Sequence, residues 1–435
     1  MSASAVAQSL REQALALDDA DALREFRARF SMPRDAAGLE LAYLCGHSLG
    51  LAPLAARARV LEELEDWERL GVLGHEQGRR AWVGYAERLA PPLAALAGAQ
   101  PGEVVAMNSL TVNLHLLLAS FYRPTRARHR ILIEAGAFPS DRYLVESQIR
   151  WHGLDPADAL IELAPRPGEE LLRMEDIGAR IGAVGPTLAL VLWPGVQYRT
   201  GQAFDLHSIV DGAHRAGAAV GFDLAHAIGN LPLLLHDSGA DFAAWCNYKY
   251  LNGGPGAIGG AFVHERHGHD ARLPRIAGWW GSNPATRFAM NGVFELTPGA
   301  AGWQLSNPPV LSAAPLLASL ELFAAAGMER LRAKSRALTA FLQAALRECC
   351  GDALEIITPA AAEQRGAQLS VRVRGGSERA RRVYAELERR GVVADWREPD
   401  TIRLAPVPLY NRFLDAWRAA EGLAGAIRAF TPAPP

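Results

Sequence analysis

From about residue 60 to residue 300, short apolar runs alternate with helical stretches, and no other feature of the chain restricts its fold as strongly. The runs are Val104–Ala106, Arg130–Ile133, Leu188–Trp193, Ala219–Phe222, Phe242–Trp245 and Gly260–Val263. They lack the polar residue at every second place that a half-solvated strand carries. Strands apolar on both faces belong in a mostly parallel sheet covered by helices on either side. Ligands on such sheets bind beyond the carboxyl ends of the strands, so the residues just after each run are where chemistry is expected.

After Pro308-Pro309 the pattern changes. Ser312–Cys350 reads as one or two long amphipathic helices. Short strands are expected near 354–358, 368–374 and 401–404, with helices near 377–390 and 411–430. This describes a smaller C-terminal α/β domain. At the start of the chain, Asp19–Phe30 has helical spacing and Pro33 would stop it. The expected organisation is a helical segment over 1–60 packing with the small domain, a large domain over 61–310 and the small domain over 311–435. The tail Thr431–Pro435 is expected to fray.

The formal net charge of −2 gives no global basic field for nucleic acid. No apolar run approaches the roughly 18 residues of a membrane span. Met1–Leu17 lacks a basic stretch followed by an apolar core, so no export signal is expected and the default location is the cytoplasm. Four cysteines (Cys45, Cys246, Cys349, Cys350) form neither a disulfide framework nor a CxxC metal site. His264, His267 and His269 read as solvated loop histidines rather than zinc ligands.

Only Lys249 and Lys334 represent lysine, although Lys and Arg together number 45. Arg stays protonated, whereas a Lys amine can lose its proton and attack a carbonyl. Lys249 lies in Trp245-Cys-Asn-Tyr-Lys249-Tyr-Leu-Asn-Gly-Gly, an aromatic segment opening into a glycine-rich loop. That setting suits an amine forming an imine with an aldehyde cofactor. Lys334 lies in a charged helical stretch and reads as solvated surface. Asp223 ends the run Ala219–Phe222, where a carboxylate can hold a pyridine nitrogen protonated or merely cap the next segment. Asn108-Ser-Leu-Thr111 opens a helix after a strand, which is either an anion cradle or a plain N-cap. In Phe138-Pro-Ser-Asp141, Phe138 can stack on an aromatic cofactor and Ser140 can cap the following helix. Arg403 stands in an otherwise apolar run, as a carboxylate fork or as half of an internal ion pair.

Taken together and in order, these blocks resemble the kynureninase family, hydrolases dependent on pyridoxal 5′-phosphate (PLP) with the aspartate-aminotransferase fold type (fold type I). The matching segments are Gly74-His-Glu-Gln-Gly78, Met107-Asn-Ser-Leu-Thr-Val-Asn-Leu-His-Leu116, Ala137-Phe-Pro-Ser-Asp141, Gly221-Phe-Asp-Leu-Ala-His-Ala227, Trp245–Asn252, Gly278-Trp-Trp-Gly281, Thr286-Arg-Phe288, Ser306-Asn-Pro-Pro309 and Ile402–Asn411. The resemblance implies that Lys249 tethers PLP, that Asp223 faces its pyridine nitrogen and that Phe138 stacks on its ring. It places Leu110, Thr111, Pro139, Ser140, Asp141, His226 and Tyr248 in the cofactor shell, with Tyr248 also protonating Cβ. It implies that Trp279 and Asn307 reach the active site of a partner subunit in a homodimer and bind the cofactor there, with Asn307 also meeting the substrate. It makes His75 a substrate-ring contact and Arg403 the binder of the amino-acid carboxylate. The implied reaction is hydrolysis of the Cβ–Cγ bond of L-kynurenine to anthranilate and L-alanine in tryptophan degradation, a route that also feeds NAD biosynthesis. The 3-hydroxy substrate, giving 3-hydroxyanthranilate, is a second candidate.

Four positions depart from the family pattern: His47 in Gly46-His-Ser-Leu-Gly50, Pro194, Arg199 and Ser282. Two other readings stay open. A cysteine desulfurase-like PLP enzyme would need a nucleophilic Cys on a mobile loop, and the four cysteines fall in motif or helix settings. A non-catalytic PLP-fold binding protein would have little reason to keep Lys249, Asp223 and Arg403 together.

Overall fold

The computed structural model describes residues 3–290 and 292–430, so the expected frayed tail lies outside the described residues. Seven strands form the larger sheet. In chain order they are β1 Val104–Ala106, β2 Arg130–Glu134, β3 Leu160–Leu163, β4 Leu188–Pro194, β5 Ala219–Asp223, β6 Phe242–Trp245 and β7 Gly260–Val263. Across the sheet the order is β1-β7-β6-β5-β4-β2-β3. The pairs β3/β2, β2/β4, β4/β5 and β5/β6 are parallel, while β7 runs antiparallel to both its neighbours. All six expected runs are strands. The expectation missed β3, whose Leu160-Ile-Glu-Leu163 is only partly buried and is broken by the exposed Glu162.

Helices cover both faces. Trp193, Phe222, Trp245 and Phe262 pack into one apolar core, whereas Leu190, Leu192, Phe242 and Val263 pack into another. The alternation within single strands shows that both faces are buried, which is why the runs carry no polar alternation.

A second sheet has four strands: β8 Leu354–Ile356, β9 Leu369–Val373, β10 Asp395–Arg397 and β11 Thr401–Leu404, in the order β10-β11-β9-β8 and antiparallel throughout. Against it lie the helices Met328–Cys350, Ser377–Arg389 and Phe413–Ala429. Its core also takes in Leu10, Ala14, Ala42 and Leu44 from the start of the chain.

Two expectations are corrected here. The first helix is Ala3–Asp19, not Asp19–Phe30; only a short 3-10 turn, Arg24–Arg29, lies within the expected span. Asp21 takes the backbone N–H of Leu23, a side-chain-to-backbone bond that competes with helix at that point. Lys334 is not solvated. Its side chain is 7% exposed, and its ammonium lies 2.7 Å from the equally buried Asp21 carboxylate. Among the described residues, no single helix is long and apolar enough to cross a membrane.

Candidate active site

The carboxyl ends of β2, β4, β5 and β6 open on a cavity of about 400 Å³. The chain direction across the sheet reverses between β2 and β4, the crevice where ligands of open α/β sheets lie. Glu134, Phe138, Ser140 and Asp141 come from the end of β2 and the segment after it; Pro194, Val196 and Tyr198 from β4 and its loop; Asp223 and His226 from β5 and its loop; Tyr248 and Lys249 from the turn after β6. The start of the helix Leu110–Phe121 adds Ser109, Leu110 and Thr111. His47 and Ser48 arrive from the N-terminal segment, and Arg397 and Arg403 from the smaller sheet.

Lys249 sits in a tight turn in which its carbonyl accepts the Asn252 N–H at 2.9 Å. The neighbouring segment is locked onto it, since the Gly50 N–H donates to the Tyr248 carbonyl at 2.8 Å. A Cβ on Gly50 would stand 2.3 Å from the Lys249 carbonyl oxygen, so only glycine allows this approach. The Lys249 Nζ lies 3.0 Å from Nε2 of His226 and 5.8 Å from the centre of the Phe138 ring. Burial, with the charges of Lys249 and Arg403, holds the His226 imidazole neutral, so Nε2 can accept from the amine. Its Nδ1 is buried without a partner.

Three carboxyl groups gather at the far end. Asp223 is 8% exposed and its Oδ1 accepts the Ala225 N–H at 2.7 Å, so the capping role holds alongside a place in the cavity wall. Burial first, and then the charge of Asp223, raises Asp141 well above the usual carboxylate range. Burial pushes Glu134 up to about 8, against the hydrogen bond from Gln197. Burial also raises the Tyr248 hydroxyl above its ordinary value, so it stays protonated and able to donate.

Arg403 is 1% exposed. Its Nη1 donates to the Tyr198 carbonyl at 2.7 Å, and its Nη2 lies 2.7 Å from the Asp395 carboxylate. The internal ion pair and the cavity position are therefore both present. The rest of the expected set divides. Leu110, Thr111, Phe138, Ser140, Asp141, Asp223, His226, Tyr248, Lys249 and Arg403 line this cavity, while Pro139 opens the adjoining helix without lining it. Ser140 is not the cap of that helix: Pro139–Trp151 already contains it, and its hydroxyl donates to Asp141 at 3.2 Å. His75, Trp279 and Asn307 instead line a separate cavity of about 500 Å³ that shares no residue with the first. Beside them stand Val72, Leu73 and Phe288, each more than half exposed.

Sequence reasoning passed over Glu134, Tyr198, Asp395 and Arg397, and marked His47 only as a departure from the family pattern. Glu134 ends an apolar run just as Asp223 does, and that signal lay in plain view. The His47 ring is fully buried, and neither of its nitrogens has a partner. Burial, followed by the charge of Arg403, holds it neutral. Cys45, His47 and Asp395 offer ligand atoms within 4.8 Å of one another. Two guanidiniums already claim Asp395, and burial pushes the Cys45 thiol up to about 12.

The loop histidines also differ from expectation, since only His269 is exposed. His267 lies 2.8 Å from Asp241, and His264 is 12% exposed in its side chain and 3.6 Å from Glu103. Glu103, His236 and His264 are close enough to hold an ion. The Glu103 carboxylate is already taken by the N–H groups of Gln100 and Glu265 and by His236, so it serves as a cap. All four thiols are raised by burial, which leaves no thiolate nucleophile.

The donor set fits PLP. A helix start with Ser109 and Thr111 suits a phosphate, the unpartnered His226 Nδ1 suits a polar ring substituent, and Phe138 offers an exposed aromatic face beside the amine. The cavity volume falls within the range of small-molecule sites, roughly 300–1,000 Å³.

Comparison with known proteins bears on the same region. The family model described as "Kynureninase C-terminal domain" matches residues 331–423. The kynureninase of Xanthomonas campestris pv. campestris (strain B100) is 58% identical over 411 residues, covering 94% of this chain and 96% of that protein. That of Stenotrophomonas maltophilia (strain K279a) is 56% identical, covering 94% and 97%. Among solved structures, the cystine C-S lyase C-DES with cysteine persulfide aligns with a TM-score of 0.75 at 18% identity, over 90% of this chain and 98% of that one. The cysteine desulfurase CsdA from Escherichia coli aligns at 0.73 and 18% identity, over 94% and 98%. At that identity the likeness is one of fold, the PLP fold type I expected from the sequence.

Proposed function

On the premise that the chain belongs to the kynureninase family, as relatives at 56–58% identity over 94% of its length establish, we infer that it hydrolyses L-kynurenine to anthranilate and L-alanine with PLP as cofactor. The observation that carries the reading is the meeting of Lys249, Asp223, His226, Phe138 and Arg403 around one cavity. When bound, PLP supplies an aldehyde that condenses with amines and a ring that stores an electron pair. Lys249 holds it and, once free, removes the Cα proton. His226, held neutral 3.0 Å away, accepts a hydrogen bond from that amine and orients it. Asp223 would face the ring nitrogen of the bound cofactor and favour its protonated form. Arg403 grips the carboxylate and so fixes the angle of the Cα–H bond. Water adds to the γ-carbonyl, the Cβ–Cγ bond breaks, and Tyr248, protonated through its burial, delivers a proton to Cβ.

Two further features belong to this reading. The working unit is a homodimer in the cytoplasm, with His75, Trp279 and Asn307 serving the substrate end of the partner's cavity. Support comes from their position around a second cavity and from the half-exposed Trp279 and 57%-exposed Phe288 beside it. The 3-hydroxy form of the substrate is tested by comparing turnover of the two compounds. The core experiment is borohydride trapping with peptide mapping: the label is expected on Lys249, and label elsewhere would refute the assignment. Lys249→Ala is expected to lose the visible absorbance of the cofactor imine as well as anthranilate release.

A further inference from the structure

The smaller sheet gives the carboxylate-binding arginine two companions. Strands β10 and β11 pair so that Asp395 stands directly across from Arg403, two residues before Arg397. Side chains two apart on a strand share a face, so Asp395, Arg397 and Arg403 point the same way. Asp395 takes the Arg403 Nε–H at 3.3 Å and lies 2.7 Å from its Nη2, which occupies one edge of the guanidinium. The Arg397 Nη2 donates to the same carboxylate at 3.1 Å. The Arg403 Nη1 donates one N–H to the Tyr198 carbonyl. Of its five N–H groups, Nη1 commits one to Tyr198, and the buried Nη2 has no hydrogen-bond partner, so both nitrogens keep N–H groups for another acceptor. Two cations share one anion here, and both arginines line the cavity. The surplus charge faces His47, which is neutral and fully buried.

We propose that Asp395 is a positioning residue for substrate: it holds Arg403 by one edge so that the other edge meets an amino-acid carboxylate, and Arg397 keeps the trio one charge positive. This rests on the kynureninase reading for the identity of the substrate, though not for the contact itself. The consequence falls first on affinity, so KM moves more than kcat, and kcat falls only as far as a looser guanidinium lets the Cα–H angle drift.

The test uses borohydride-reduced holoenzyme, on which ligands bind without turnover, and two ligands: L-kynurenine and kynuramine, the same molecule without its carboxylate. In Asp395→Asn the dissociation constant of kynurenine is expected to rise about tenfold by calorimetry, and that of kynuramine to stay within twofold. In the unreduced variant KM is expected to rise by a similar factor, with a smaller fall in kcat. A kynurenine constant that stays the same or falls overturns the proposal, because Asp395 would then be irrelevant to substrate or in competition with it. Equal weakening of both ligands also overturns it, by assigning the residue to the general integrity of the wall. Failure of the wild-type enzyme to cleave kynurenine would refute the proposed function, yet the ligand pair would still report on Asp395.

Discussion

Glu134 and Tyr248 illustrate how burial sets proton states around the cavity. Glu134 titrates near 4.5 when solvated and is pushed up to about 8 in the fold, by burial and then by the charge of Asp223. As pH rises from 4.5 to 8, the unfolded chain gives up this proton while the folded protein keeps it, so stability falls across that window. Apoprotein carrying Glu134→Gln is expected to show a flatter decline of thermal midpoint between about pH 5 and pH 8 than the parent. Equal slopes would place Glu134 in a more polar setting than its burial implies. Tyr248→Phe removes the proposed donor to Cβ. Turnover is expected to fall by about two orders of magnitude or more, the usual worth of a positioned acid, while cofactor absorbance is retained. Lys249 stood out as one of only two lysines, in an aromatic and glycine-rich setting, and Asp223 as a charge ending an apolar run. Glu134 carried the same mark and escaped because its run was cut one residue early. Lys334 was misread since Met328-Glu-Arg-Leu-Arg-Ala-Lys334 looks like a solvated face, while its partner Asp21 lies far away along the chain.

Among elements, the strands of the larger sheet were readable because both faces are buried and the pattern is local. Strand β10 was not. Asp395-Trp-Arg397 has no apolar run, and its meaning depends on register against β11, which no local pattern encodes. The first helix, Ala3–Asp19, turns Leu10 and Ala14 into the core of the smaller sheet. Lys334 and Asp21 then join the segment after that helix to Met328–Cys350. Lys334→Ala leaves a buried carboxylate unpaired, a loss on the order of 3–5 kcal/mol. A lower urea midpoint with unchanged cofactor absorbance is the expected result; a lost spectrum would mean the pair also shapes the cavity. The segment Gly46–Gly50 has no slack at either end: a Cβ on Gly46 would meet the Tyr410 hydroxyl at 2.2 Å, and one on Gly50 the Lys249 carbonyl at 2.3 Å. Gly50→Ala is expected to cut cofactor affinity, measured by PLP titration of the apoprotein, through displacement of the Lys249 turn.

At the level of the whole molecule, the fold was legible, whereas the homodimer is a proposal. Trp279 and Asn307 sit away from Lys249 within one chain, and nothing in their local sequence says which cavity they complete. Mixing inactive Lys249→Ala and Trp279→Ala proteins tests the shared-site reading. Recovered activity in the mixture is expected, since hybrid dimers hold one site with both residues intact, and a mixture no better than the Trp279→Ala protein alone would count against it. The catalytic wall itself spans two sheets: the amine and carboxylates hang from the larger, the guanidiniums from the smaller. A ligand that grips both ends therefore acts as a brace between two bodies. Kynurenine analogues with an intact carboxylate should slow amide hydrogen exchange in both sheets, whereas ligands confined to one side protect that side alone.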